Sequence, residues 1–143
     1  KNCKKHEAMT QSGINDLTYK IVGCAIEIHK HLGPGLLESV YEECLVEELI
    51  HNGLKVQRQV LVPIAYKGRE LSTPLRLDIL VNDIVIIELK AVEVVLPVHK
   101  AQLLSYLKLT KKPKGLLLNF HTDNIVKSAV HLVTERFAEL PKT

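Results

Sequence analysis

Leu75-Arg76-Leu77-Asp78-Ile79-Leu80-Val81-Asn82-Asp83-Ile84-Val85-Ile86-Ile87-Glu88-Leu89-Lys90-Ala91 is the stretch on which the reading of this chain turns. It contains two β-strand patterns around a turn signal at Asn82-Asp83. Side chains on a strand alternate between faces. The odd positions are Leu75, Leu77, Ile79 and Val81 on one strand, and Val85, Ile87, Leu89 and Ala91 on the next. All are apolar, so both rows are expected to cover the same core. The even positions carry Arg76 and Asp78 on the first strand, Glu88 and Lys90 on the second. A tight two-residue turn would set Asp78 against Ile87 and send one apolar row to the wrong side. A three-residue loop from Asn82 to Ile84 instead sets Val81 opposite Val85 and Asp78 opposite Glu88. A slip of one residue flips a whole face, so the apolar rows select the second register.

Two carboxylates then stand side by side, with Lys90 one step further along the same face. Such a pair repels, and burial strips its hydration. A divalent cation removes the repulsion, and Asp and Glu oxygens suit Mg²⁺ or Mn²⁺. A protonated Lys90 is no metal ligand, but it can orient a water or neutralise charge on a phosphate. The competing reading is a surface charge ladder in which Arg76 and Lys90 pair with Asp78 and Glu88. The apolar run from Ile84 to Leu89 around Glu88 points to a cleft instead.

Outward from the hairpin, Ile14, Leu17, Ile21, Ala25, Ile28 and Leu32 recur at three- and four-residue steps. They predict a helix from about Ile14 to His31. Gly33-Pro34-Gly35 breaks it. A second helix follows to His51, with Leu37, Val40, Tyr41, Cys44, Leu45 and Leu49 as its apolar face, and Asn52-Gly53 ends it. Val56 to Tyr66 reads as a loose strand closed by a turn at Lys67-Gly68. The next strand spans Leu71 to Val81, with Pro74 marking its first part as an edge or bulge. A third strand covers Ile84 to Ala91. A helix is expected from Pro97 to Leu109, then a wholly apolar strand, Leu116 to Phe120, buried on both faces. The Ile125, Ala129, Leu132, Val133 spacing favours helix over Asn124 to Phe137. The order ααβββαβ(α) gives an α/β domain with a mixed sheet.

With 143 residues, 46% hydrophobic and 24% charged, the chain is expected to form a single domain over residues 1–143, with 1–12 as a flexible start. No apolar run has transmembrane length and no signal peptide opens the sequence, so a cytoplasmic setting is expected. Cys3, Cys24 and Cys44 lack the spacing of a zinc site or disulfide framework. The net charge of +3 permits a nucleic-acid partner without indicating one. Lys108, Lys111, Lys112 and Lys114 form the densest basic stretch. Lys111, Lys112 and Lys114 are candidates for gripping a phosphate backbone, against the commoner reading of a solvated loop. Four tyrosines and two phenylalanines are too few for a base-stacking platform. P-loop, Rossmann and HExxH patterns are absent.

Asp78 followed by Glu88-Leu89-Lys90 resembles the metal-site motif of the PD-(D/E)XK nuclease superfamily. Gly35-Leu36-Leu37-Glu38-Ser39-Val40-Tyr41 is similar to the defining motif of the GxxExxY family. That resemblance continues through Arg76-Leu77-Asp78, Ile87 to Val92, His99 to Tyr106, and Leu117 to Phe120. It implies a restriction-endonuclease-like fold and metal-dependent hydrolysis of nucleic-acid phosphodiesters. Asp78, Glu88 and the Leu89 carbonyl would hold Mg²⁺ or Mn²⁺, with Glu38 as an early helical acid and Lys90 as the catalytic cation. An acid in a helix's first turn is also favoured by the macrodipole alone. Gln102 and Tyr106 look like a Q-x-x-x-Y helix motif that would hold Lys90 or a phosphate oxygen. Tyr41, His99 and Arg76 are accessory candidates; a core tyrosine and a partly exposed histidine are the plainer readings of the first two. The alternative class is a non-catalytic module on the same fold, binding nucleic acid or a protein. A homodimer or a partner would complete the groove of so short a chain.

Overall fold

Helix α1 (Gln11–Leu32) starts where Thr10 Oγ1 accepts the Gly13 N–H at 2.9 Å, and it buries Ile14, Leu17, Ile21, Ala25 and Ile28. The computed structural model describes residues 9–143; Cys3 and the expected flexible residues 1–8 lie outside it. The rest of the expected flexible start is ordered. The Gln11 and Ser12 amides donate to the Pro141 and Lys142 carbonyls at 2.8 and 3.0 Å, tying the helix to the end of the chain. Gly33, at φ 68°, ends α1 in a conformation that favours glycine. Helix α2 (Glu38–His51) buries Tyr41, Glu42, Leu45 and Leu49. Leu37 and Val40, expected on the apolar face, are exposed; Leu37 sits at the N-cap position, outside the first turn of the helix.

Strand β1 (Val56–Val62) stops before Pro63. The small hairpin β2 (Ala65–Tyr66) and β3 (Arg69–Glu70) turns at Lys67-Gly68, both with positive φ. Strand β4 (Leu75–Val81) begins only after Pro74, and β5 (Val85–Lys90) follows the three-residue loop. The register is the expected one, with Val81 opposite Val85, Leu80 opposite Ile86 and Ile79 opposite Ile87. Asn82 and Asp83 take φ of 52° and 58°, and the Ile84 N–H closes on the Val81 carbonyl at 2.9 Å.

Helix α3 (Pro97–Thr110) carries the chain across to β6 (Lys114–Asn119), which runs parallel to β5 and is buried along its whole length. The tail departs from the expected helix. It forms one turn, α4 (Ile125–Ser128), then strand β7 (Val130–Val133), then a second short turn, α5 (Glu135–Ala138). Ile125 and Ala129 are helically spaced for one turn only. Beyond them β7 pairs antiparallel with β6 and supplies the partner that the open edge of β6 requires. The five-stranded sheet has the order β1-β4-β5-β6-β7.

Helices cover both sides of this sheet, which changes the meaning of the apolar rows. Ile79, Val81, Val85, Ile87, Leu89, Leu116 and Leu118 join α1 and α2 in one core. Leu80, Ile86, Leu117, Leu103 and Leu107 make the other, against α3. Leu77 belongs to the second core, so the odd row of β4 does not cover one core as expected. In β1, Val56 packs on the first core while Val60 and Val62, of the same parity, pack on the second. Both strands exchange faces between these positions, at Asp78 and Gln59. Gln59 has φ 51°, which exchanges the side-chain faces of its strand without breaking its register.

Gly115 sets how closely α3 lies on the sheet: a Cβ there would stand 2.8 Å from Leu107 Cδ1 and 3.1 Å from Leu103 Cγ. Gly115→Ala is expected to cost about 1–3 kcal/mol by overpacking, read as a lower urea midpoint. An unchanged midpoint would contradict this close approach.

Candidate active site

The main-chain pairing of β4 with β5 ends at Ile79 and Ile87. One step beyond, Asp78 Oδ2 accepts the Leu89 N–H at 2.9 Å, so a side chain holds the two strands where the ladder stops. Glu88 is 7% exposed, and its Oε1 has no hydrogen-bond partner among the described residues. Burial, and then the Asp78 charge, push Glu88 up to about 8, against the opposing pull of Lys90. Burial also raises Asp78; the Leu89 amide and Lys90 lower it, and Glu42 adds to the rise.

Glu38 stands at the exposed start of α2. Burial raises its carboxyl, Lys90 lowers it and Asp78 raises it, so its charge is felt with theirs. From the other side of the sheet Tyr106 of α3 is pushed up by burial and then by Glu88 and Asp78. Gln102, one turn earlier, is exposed. The charge ladder does not form. Among the described residues no ion pair joins Asp78 or Glu88 to Arg76 or Lys90, and Arg76 Nη1 donates to Gln59 Oε1 at 3.4 Å instead.

Other accessory candidates serve the scaffold. Tyr41 is fully buried and stacks on Phe120 with ring centroids 4.4 Å apart. Its hydroxyl donates to the Gly33 carbonyl at 2.6 Å and accepts the Leu36 N–H at 3.1 Å, pinning the loop that leads into Glu38. His99 Nδ1 accepts the Leu96 N–H at 3.0 Å and so caps the start of α3. The lysine stretch is dispersed and forms no common grip. Lys112 Nζ binds the Asp83 carbonyl and carboxylate at 2.9 and 3.0 Å, and Lys114 is buried, 3.2 Å from His131 Nδ1. Lys111 lines a groove with Lys108 and Arg136 beside β7. Lys114 pairs with Val85 while Lys90 pairs with Asn119, so this basic stretch starts at the far end of β5 from the acids.

Sequence reasoning missed Glu42, Arg58, Gln59 and Asn119. The available signal for Glu42 was its four-residue step from Glu38. Its carboxylate takes Arg58 Nε and Nη2 at 3.1 and 2.9 Å on Oε2, and Gln59 Nε2 at 2.8 Å on Oε1. Asn119 is buried at the end of an apolar strand. It accepts the Val92 N–H at 3.0 Å and donates to the Val92 carbonyl at 2.7 Å, fixing the chain just past Lys90.

Residues 15–132 match the family model of the PD-(D/E)XK nuclease superfamily. The chain belongs to that superfamily. The match runs from α1 to β7 and includes all four charged residues of the candidate site. The crystal structure of SSO0001 is similar in fold, with a TM-score of 0.50 and 24% identity over 67% of this chain. The match covers 50% of the SSO0001 chain, so this chain spans about half its length. No curated protein matches.

PD-(D/E)XK nucleases generally use divalent metals. The unpartnered Glu88 oxygen beside the fixed Asp78 carboxylate is a donor set that fits such an ion. As they stand, no three His, Cys, Asp or Glu side chains among the described residues converge as a metal cluster, which leaves Glu38 at the rim. The buried Glu88 carboxyl carries a pH signature. Between 4.5 and about 8 the folded chain keeps a Glu88 proton that an unfolded glutamate has released. The resulting stability is complete below the lower value and is lost as pH rises through the upper one. Thermal denaturation in chelator from about pH 5 to about pH 8.5 is expected to show a falling midpoint that Glu88→Gln flattens. Equal slopes in the two proteins would contradict the burial of this carboxyl.

Proposed function

We propose that this chain is a divalent-metal-dependent nuclease of the GxxExxY type, hydrolysing nucleic-acid phosphodiester bonds at Asp78, Glu88 and Lys90. The observation that carries the reading is the buried, unpartnered Glu88 oxygen next to Asp78, at the point where two strands separate. A carboxyl so placed is strained toward neutrality without a cation and complementary to one with it. Mg²⁺ or Mn²⁺ would be held by Asp78, Glu88 and the Leu89 carbonyl, with Glu38 joining from α2. When bound, the ion neutralises the acid pair and stabilises charge developing on the phosphate.

The chain's own groups supply the rest. The Leu89 amide fixes one Asp78 oxygen and so the direction of the other. Lys90, on the same edge, orients the attacking water and offers its ammonium to the charge growing on the phosphoryl oxygens. Tyr106, and Gln102 one turn before it, hold Lys90 or a phosphate oxygen from the α3 side. Tyr41 acts at one remove, by fixing the glycine loop from which Glu38 projects. A second copy of the chain would complete a groove wide enough for a duplex.

The rival reading, a non-catalytic nucleic-acid- or protein-binding module, has one observation in its favour. A Glu88 that stays protonated to about 8 allows the acid pair to persist without any cation. A Mn²⁺-supplemented cleavage assay on single- and double-stranded DNA and RNA separates the two. Lys90→Ala is expected to lower kcat by about 10²-fold or more while Mn²⁺ affinity is retained, and Asp78→Asn to weaken both. Cleavage undiminished in Asp78→Asn at saturating Mn²⁺ would overturn the proposal.

A further inference from the structure

The edge strand next to Asp78 is built in a way the acid pair does not require. Gln59 sits in the middle of β1 with φ 51°, a left-handed conformation that a side-chain-bearing residue avoids unless its surroundings fix it. No residue is inserted there. Arg58 pairs with Ile79 and Val60 with Leu77, which leaves Gln59 directly opposite Asp78. The consequence is chemical. Regular alternation would send Arg58 and Gln59 to opposite faces, yet both reach the carboxylate of Glu42, at 2.9 and 2.8 Å.

Glu42 is 8% exposed and lies one turn beyond Glu38 on α2. Its three hydrogen bonds satisfy it fully on this side and leave Gln59 Oε1 free to receive Arg76 Nη1 at 3.4 Å. A continuous chain, Arg58–Glu42–Gln59–Arg76, therefore runs along the β1 side of the acid cluster. It carries two guanidinium groups and one carboxylate. The Arg58 side chain is 44% exposed and Arg76 is exposed, so both have N–H groups turned to solvent. The lysines of the α3–β6 turn cannot serve this position. Lys114 pairs with Val85, five residues along β5 from Lys90, which is about 16 Å at strand rise.

We propose that Arg58 and Arg76 form a phosphate clamp for the nucleic-acid backbone, receiving a phosphate next to the one cleaved, with Glu42 and Gln59 as its positioning residues. The assignment rests on the nuclease reading for the location of the scissile phosphate. A guanidinium fork anchored on a buried carboxylate meets a phosphate with little ordering left to do. A polyanion approaching Glu38 and Asp78 meets like charge, and the clamp offsets it on the side away from Lys90.

The test is the binding of fluorescent single- and double-stranded oligonucleotides, read by anisotropy over a range of salt, with kcat and KM measured alongside. Arg76 makes a single long side-chain contact, so Arg76→Ala leaves the fold intact and is the primary variant. It is expected to raise Kd and KM about tenfold, reduce the salt slope by about one unit and spare kcat. Arg76→Lys restores most of the slope. Glu42→Gln, which frees Arg58 without emptying the site, is expected to weaken binding with a smaller change in slope. Wild-type Kd and slope in both Arg76→Ala and Glu42→Gln would overturn the clamp, even where Lys90→Ala abolishes cleavage. Weakened binding by these variants in a chain that cuts no substrate would support the clamp and remove the catalytic reading alone.

Discussion

The structure is organised around one electrostatic constraint: two carboxyl groups occupy the end of a β-ladder where main-chain pairing stops. Asp78 takes over the Leu89 amide, and Glu88 is left with a buried oxygen that no group among the described residues satisfies. A group of this kind costs stability in a low-dielectric setting, and the fold tolerates it by distributing its surroundings across both faces of the sheet. α2 brings Glu38 and Glu42 from one side, α3 brings Tyr106 from the other, and Lys90 lies on the same strand. The two hydrophobic cores hold these elements apart at the acids and together elsewhere.

Much of the remaining architecture keeps this opening in place. Tyr41 fixes the glycine loop before Glu38, and Asn119 fixes the chain just after Lys90, so both approaches to the site are tied by partly buried hydrogen bonds. On the open edge, the left-handed conformation of Gln59 coincides with the exchange of faces in β1 and β4. The superfamily match spans all of these parts. Glu38 and Tyr41, three apart in sequence, stand differently: the first is exposed at the start of α2, where Lys90 and Asp78 shift its carboxyl, and the second is buried and holds the loop that leads into it.

The hairpin was legible because a period of two leaves only one register compatible with two apolar rows, and the Asn82–Ile84 loop follows from that alone. The first two helices were legible from spacing and from the glycines between them. The face exchange was not, since Leu77 is as apolar as Ile79 and no pattern of residue types distinguishes the two cores it chooses between. Strand β7 was missed because Ile125 and Ala129 carry a helical signal for one turn, while the demand for a partner comes from β6 and is set by tertiary pairing. The lysines misled for a related reason. Their density in sequence says nothing of Asp83 or His131, which engage Lys112 and Lys114 from distant segments. Glu42 was passed over because a glutamate in a glutamate-rich helix has no local mark of burial.

The measurement that bears most directly on this account is calorimetric titration of the chain with Mn²⁺ at neutral pH in buffers of different ionisation enthalpy. The account predicts one ion per chain and a buffer-dependent heat corresponding to about one proton released, because Glu88 must give up its proton to hold the cation. Absence of binding at millimolar Mn²⁺, or binding with no proton released, would contradict it.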